Sequence, residues 1–86
     1  MRIIWTAHAA ERQREWERRK GITRAVVEGV VTNAEQVAPG DLNILIAQSR
    51  WQGGLLRVPF IESGEGRKII TLYWTSRIKR YWREQA

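Results

Sequence analysis

Residues 43–61, NILIAQSRWQGGLLRVPFI, decide the fold predicted for this chain. Two apolar runs of strand length flank the segment Gln52-Gly53-Gly54, and glycines between two such runs are typical of a β-hairpin turn. Side chains of successive residues point to opposite faces of a strand, so the alternation of apolar residues assigns each side chain to a face. The second run places Leu56, Val58 and Phe60 on one face and Leu55, Arg57 and Ile61 on the other.

Pro59 lies inside this second strand and has no backbone N–H. It argues against a central position in the sheet, unless a bulge absorbs the missing donor. Further turns are predicted at Pro39-Gly40-Asp41 and at residues 63–66, where glycine and proline interrupt the pattern. Residues 68–75 alternate again and predict one more strand, with Ile70, Leu72 and Trp74 opposite Ile69, Thr71, Tyr73 and Thr75.

The N-terminal half of the chain is predicted to be helical. Residues 7–20 contain no Gly or Pro and are rich in good helix formers. Thr6 can cap this helix at its start and Gly21 can end it. A second helix follows Thr23, with a strand as the alternative because its residues are largely β-branched. The predicted order is strand 2–5, helix 7–20, helix 23–33, strands 43–51, 55–61 and 68–75, and a short helix capped by Ser76 and running through about Glu84.

This order predicts a single α+β domain over residues 1–86, with helices packed on one face of an antiparallel sheet. The composition excludes several classes of site. There is no Cys and only one His, so disulfides, a thiolate nucleophile and a Cys- or His-based metal site are excluded. No apolar run approaches the roughly 20 residues that cross a membrane. We therefore expect a cytoplasmic protein with no membrane partner and no cofactor.

Charge is the most informative property of the composition. The 15 Lys and Arg residues outnumber 9 Asp and Glu residues, which gives a net charge of +6. A basic domain of this kind is typical of proteins that bind a polyanion, and Arg in particular makes bidentate contacts with phosphate. Nucleic acid is the favoured partner, and an acidic protein fits the same charge.

The candidate site residues fall at both ends of the chain and in the hairpin. His8 lies near a helix N-terminus, where a neutral imidazole could act as a base or bind phosphate; a packing or capping role is the alternative. Arg12 lies one turn later and could flank the same phosphate, or belong to a solvated charged face. Arg57 stands between apolar neighbours and is either functional or paired with Glu62 or Glu35. The basic and aromatic C-terminal stretch supplies further candidates: Tyr73, Thr75, Arg77, Lys79, Arg80, Tyr81 and Arg83, whereas Trp74 and Trp82 are expected in the core.

The motif Thr6-Ala7-His8-Ala9-Ala10-Glu11-Arg12 resembles the S/T-x-H-A-x-x-R opening of a family of small prokaryotic proteins of unknown function. Lys20-Gly21-Ile22-Thr23 is similar to the R/K-G-I-S/T segment of that family. Residues 33–37 and 69–73 are similar to its N-P-E-x-V and V-x-T-V-Y segments, with Ala34 in place of the proline. The first helix is about one turn longer than in the family, which keeps the helix faces aligned.

The family resembles the RelE, ParE and BrnT toxins of toxin–antitoxin pairs. The resemblance implies a RelE-like fold, a cognate antitoxin that is acidic or binds DNA, and metal-independent cleavage of mRNA through attack of the 2′-hydroxyl. It implies that His8 is an acid or base, that Arg12, Arg57 and Arg80 hold phosphate, and that Tyr73 or Tyr81 stacks on a base or transfers a proton. The alternatives are a ParE-like toxin that binds a protein target without catalysis and a simple nucleic-acid-binding module.

Overall fold

The computed structural model describes residues 1–84 and has the α+β composition that the sequence predicts. None of its three helices is long and apolar enough to cross a bilayer. The elements in chain order are β1 (Ile3–Trp5), α1 (Ala7–Lys20), α2 (Arg24–Asn33), β2 (Gln36–Pro39), β3 (Ile44–Trp51), β4 (Gly54–Ser63), β5 (Gly66–Ile69), β6 (Tyr73–Thr75) and α3 (Ile78–Tyr81).

The two long helices begin and end where the sequence predicts. The Thr6 hydroxyl accepts a hydrogen bond from the amide of Ala9 at 3.1 Å, and α1 ends at Gly21 in the left-handed conformation with φ 68°. The Thr23 hydroxyl caps α2 in the same way, accepting from the amide of Val26 at 3.2 Å. The starts of both helices follow from local chemistry, because a cap side chain accepts from amides in the first turn of the helix that it caps.

The sheet has the order β1-β5-β4-β3-β2, and β6 pairs with β4 beyond the end of β5. The predicted hairpin is confirmed: β3 and β4 pair antiparallel from Ile44 opposite Ile61 to Trp51 opposite Gly54. The expectation of an entirely antiparallel sheet is wrong, since β1 runs parallel to β5. A hairpin turn dictates antiparallel pairing, whereas β1 is joined to β5 through both helices and three strands, a connection that permits parallel pairing.

The predicted element order is also incomplete, because five strands rather than three follow α2. The missed strand β2 has four residues, ends at Pro39 and lies at the edge of the sheet against β3. Such a short run carries little alternation, and a proline is tolerated there because an edge strand need not donate on both sides. The other additional strand arises because the predicted strand 68–75 is divided into β5 and β6.

A β-bulge causes this division. Phe60 faces Ile69 and Arg57 faces Tyr73, so two residues of β4 lie opposite three residues, 70–72. The Pro59 carbonyl accepts from the amide of Ile70 at 2.9 Å. In an antiparallel pair, the N–H and C=O of one residue point toward the same neighbouring strand. The N–H that Pro59 lacks would therefore point toward the bulged segment, residues 70–72. The bulge thus lets a proline occupy a central strand.

The hydrophobic core lies between the sheet and helices α1 and α2. Leu56, Val58 and Phe60 of β4 are fully buried on this face, as the alternation predicts. Trp74 packs against the same core and contacts Trp16 of α1, with ring centroids 6.4 Å apart and the ring planes tilted by 50°. The remaining core residues are Ala9, Ile22, Val27, Val30, Val31, Ala47, Ile69 and Leu72.

The C-terminal helix is shorter than predicted. It covers Ile78–Tyr81, and its N-cap residue is Arg77 rather than Ser76, with no side-chain cap. Trp82 is already extended, with φ −70° and ψ 131°, because side chains of the sheet hold the backbone that follows the helix. The expectation that Trp82 joins the core is wrong: it is half-buried and lies apart from the hydrophobic core.

Candidate nucleic-acid interface

Arg57 is a buried cation that has no carboxylate partner within residues 1–84. Its side chain projects from β4 on the face away from α1 and α2, and the residue is 7% exposed. Its Nε donates to Oε1 of Gln48 at 2.8 Å, and its Nη1 donates to the hydroxyl of Tyr73. Within residues 1–84 the two predicted partners are engaged elsewhere: Glu62 pairs with Arg67 at 3.2 Å, and Glu35 accepts from the backbone amide of Arg50 at 2.9 Å.

The third guanidinium nitrogen of Arg57, Nη2, is not fully enclosed by the protein. Nη2 makes no hydrogen bond within residues 1–84, and no fully buried side-chain nitrogen or oxygen of the described chain lacks a partner. It follows that Nη2 retains some solvent-accessible surface. Burying a charge without a counter-charge is costly, and such a group gains most from an anion that completes it.

Two tyrosine rings enclose this cation. The Arg57 Cζ lies 4.0 Å from the ring centroid of Tyr81 and 5.7 Å from that of Tyr73. The two tyrosine rings pack edge to face, with their centroids 6.4 Å apart. Arg80 adds a second guanidinium, with its Cζ 5.4 Å from the Tyr81 centroid. Because the Tyr73 oxygen accepts from Arg57, the phenol hydrogen remains available to a ligand.

Two glutamines hold the C-terminal segment over this face of the sheet. Gln48 is fully buried and donates from Nε2 to the carbonyl of Tyr81 at 3.0 Å and to Oε1 of Gln36 at 2.8 Å. Gln36 binds both backbone groups of Arg83: its Oε1 accepts from the amide at 3.0 Å, and its Nε2 donates to the carbonyl at 2.6 Å. The four-residue α3 is too short to be stable alone, and these bonds fix it over Arg57.

The bulge at residues 70–72 brings Tyr73 to this site. Ile69 lies in the core, and strict alternation would place Tyr73, four residues later, on the same core face. The extra residue reverses the alternation, so Tyr73 faces Arg57 and Trp74 takes the core position. The prediction that Tyr73 shares a face of the strand with Ile69 is therefore wrong. The bulge, which alternation alone does not predict, brings Tyr73 to the site.

The start of α1 is tied to the same bulge. The Thr6 hydroxyl donates to the carbonyl of Ile69 at 2.9 Å, and Nε2 of His8 is hydrogen-bonded to the hydroxyl of Thr71 at 3.1 Å. His8 is exposed, and within residues 1–84 no hydrogen bond or ion pair joins it to Arg57. The motif Thr6-x-His8 thus contacts the segment that orients Tyr73, two residues after Thr71.

The other predicted residues lie around the site or apart from it. Arg12 pairs with Glu15 at 2.7 Å on the exposed surface of α1 and makes no contact with Arg57. The Thr75 hydroxyl accepts from the amide of Arg77 at 3.1 Å. An open depression of about 540 Å³ lies at the start of α3, and three of its five lining residues are cations. The lining residues are Ser76, Arg77, Ile78, Lys79 and Arg80. The structure thus brings together Arg57, Tyr73, Arg80 and Tyr81, with the backbone of Arg83, and leaves His8 and Arg12 outside their direct contacts.

Several residues of the site were not predicted. Gln48 had a usable signal, because a two-residue turn at 52–53 places residue 48 opposite residue 57, and the structure has this register. Gln36 had none, since its contacts with Gln48 and Arg83 join segments that are distant in sequence.

Comparisons of the chain with protein-family models, with curated proteins and with solved structures gave no match. Among the described residues, no group of three or more His, Cys, Asp or Glu side chains is placed to hold a metal ion. The function is therefore argued from the site.

Proposed function

We propose that this protein is the toxin of a type II toxin–antitoxin pair, with a RelE-like fold. We further propose that it cleaves mRNA that is bound at the site around Arg57. The single observation that carries the proposal is the buried Arg57 guanidinium beside two tyrosines. Within residues 1–84 it has no carboxylate partner, and its Nη2 is neither hydrogen-bonded nor fully enclosed. A phosphodiester supplies the anion that this group lacks. The resemblance of the Thr6–Arg12 motif to a toxin-related family supports the same conclusion.

The proposed reaction needs only side chains of the site and the RNA itself. The 2′-hydroxyl oxygen attacks the adjacent phosphorus, the bond to the 5′-oxygen breaks, and the products are a 2′,3′-cyclic phosphate and a 5′-hydroxyl. Arg57 neutralises the negative charge that grows on the phosphoryl oxygens. The Tyr81 hydroxyl is the candidate proton relay: it accepts the 2′-hydroxyl proton as it passes its own proton to a phosphoryl oxygen. The Tyr73 hydroxyl is the candidate donor to the departing 5′-oxygen, and it recovers its proton from that phosphoryl oxygen. Arg80, Arg77 and Lys79 bind flanking phosphates.

The proposal also specifies the partners. The net charge of +6 favours both RNA and an acidic antitoxin, which would cover the same basic surface around α3. Because mRNA is the substrate, the proposal assigns the protein to the cytoplasm.

The test is incubation of the purified protein with RNA in EDTA, together with expression in a bacterial host. We expect cleaved RNA with cyclic phosphate ends, and growth arrest that an adjacent antitoxin gene relieves. Growth arrest with intact RNA would favour a toxin that binds a protein target. Harmless expression with intact RNA would contradict both toxin hypotheses.

His8 provides a second prediction, because its contact with Thr71 favours a positioning role over a role as base. We expect His8→Ala to lower RNA cleavage roughly five-fold, the effect of one lost hydrogen bond. His8→Gln should retain most activity, because its amide can still reach the Thr71 hydroxyl. Thr71→Val removes the bond from the other side and should match His8→Ala. Complete loss in His8→Gln with full activity in Thr71→Val would show instead that His8 transfers a proton.

A further inference from the structure

Trp82 is held in place although it contributes nothing to the core. The residues before and after it are both fixed to the sheet: Gln48 binds the carbonyl of Tyr81, and Gln36 binds the amide and the carbonyl of Arg83. Its indole remains half-buried, and the Cζ of Arg50 lies 4.5 Å from its ring centroid. A large aromatic ring fixed outside the core is available to a ligand.

Arg50 lies beside the Arg57 site on the same face of the sheet. It follows Gln48 by two positions on β3, so the two side chains share a face and lie about 7 Å apart along the strand. Gln48 is the residue that accepts from Arg57. The Arg50 side chain is exposed and forms no ion pair in the described part of the chain. The carboxylate of Glu35 binds the backbone amide of Arg50.

We propose that Arg50 and Trp82 form a stacking subsite for an unpaired nucleobase of the RNA strand whose phosphate is bound at Arg57. Guanidinium and indole planes both stack on bases, and the base must be unpaired because a duplex leaves no base face free. This inference rests on the proposed function, since it requires a strand at Arg57. It narrows the substrate to single-stranded RNA and adds one recognised base next to the bound phosphate.

The chain offers a matched control for this pair. Arg19 lies over Trp16 at 4.3 Å in the same type of stack, and Arg19 is likewise exposed. Trp16 packs against the hydrophobic core and against the ring of Trp74, so the Arg19–Trp16 pair has a structural explanation. Substitutions at Arg19 therefore remove an equal charge and an equal stack away from the proposed subsite.

The experiment measures binding of short single-stranded oligonucleotides made of 2′-O-methyl RNA, which lacks the attacking hydroxyl. Each position in turn carries an abasic site, and affinity is followed by fluorescence anisotropy. For the unmodified protein we expect one position at which loss of the base weakens binding roughly ten-fold. Arg50→Ala and Trp82→Leu should bind the intact oligonucleotide weaker by the same factor and should no longer distinguish the abasic one. Trp82→Phe keeps a ring and should retain the discrimination.

Arg19→Ala should bind like the unmodified protein, and circular dichroism establishes that each variant is folded. If Arg57→Ala loses binding while Arg50→Ala, Trp82→Leu and Arg19→Ala all bind equally well, the stacking subsite is wrong and the proposed function stands. If the unmodified protein binds no oligonucleotide, the proposed function is wrong and the subsite with it. Equal losses in Arg50→Ala and Arg19→Ala would show a general charge effect and would also overturn the subsite.

Discussion

Replacing Arg57 with alanine is expected to lower the rate of RNA cleavage at least about 100-fold, the usual effect of removing a group that stabilises transition-state charge. Arg57→Lys should lose nearly as much. A lysine carries its three donors on a single nitrogen at the end of a flexible stem, and that nitrogen cannot occupy the separate positions of Nε, Nη1 and Nη2 of Arg57 at the same time. Cleavage of a labelled RNA in EDTA under single-turnover conditions measures the effect.

The matched control is Arg14→Ala, which removes an equal charge from an exposed position on α1. It should retain cleavage within a few-fold.

Arg57→Ala also leaves the buried Gln48 oxygen without a donor, so the free energy of unfolding of this variant should fall by about 1–3 kcal/mol. A folded Arg57→Ala protein that cleaves RNA at the original rate would contradict the proposed site.

Gly54→Ala is expected to lower the free energy of unfolding by about 3 kcal/mol, at the upper end for overpacking. A Cβ at this position would lie 2.6 Å from the ring of Trp74 and would also meet the carbonyl oxygen of Thr75. One of these neighbours is backbone of β6, so relief requires β6 to move away from β4. Because β6 carries Tyr73, RNA binding should weaken together with stability.

Thermal denaturation tests the first effect, and the melting temperature should fall by more than about 10 °C. The matched control is Gly29→Ala in the interior of α2, where an added Cβ meets nothing within 4 Å. Alanine is the better helix former, so this variant should gain about 0.5–1 kcal/mol. A Gly54→Ala protein as stable as the original would show that the close approach of β6 is not a constraint.

Much of the fold could be predicted because its causes are local. The boundaries of α1 and α2 follow from Thr6, Gly21 and Thr23, which act on amides and carbonyls within one helical turn. The hairpin of β3 and β4 follows from its turn, and the register places Gln48 opposite Arg57. The core face of β4 follows from alternation, because a period of two fixes the face of every side chain in an unbroken strand.

The sequence also indicated that Arg57 is unusual, since a cation stands among apolar neighbours in a strand. It could not show that neither Glu62 nor Glu35 reaches this cation, because those carboxylates are taken by Arg67 and by the backbone of Arg50. It also misplaced Trp82, whose position depends on Gln36, 46 positions earlier in the chain. Contacts of this kind join segments that no local pattern links.

By itself, the sequence determined the helices, the hairpin, the basic charge and the face on which Arg57 lies, because caps, turns and alternation act between near neighbours. Only the tertiary structure decided the direction of β1, the edge strand β2 and the path of the chain after α3, which depend on pairing between distant residues. It also decided which tyrosines surround Arg57. One extra residue opposite Pro59 reverses the alternation and turns Tyr73 toward the guanidinium. A bulge forms only when two strands have paired, and the site therefore exists only in the folded sheet.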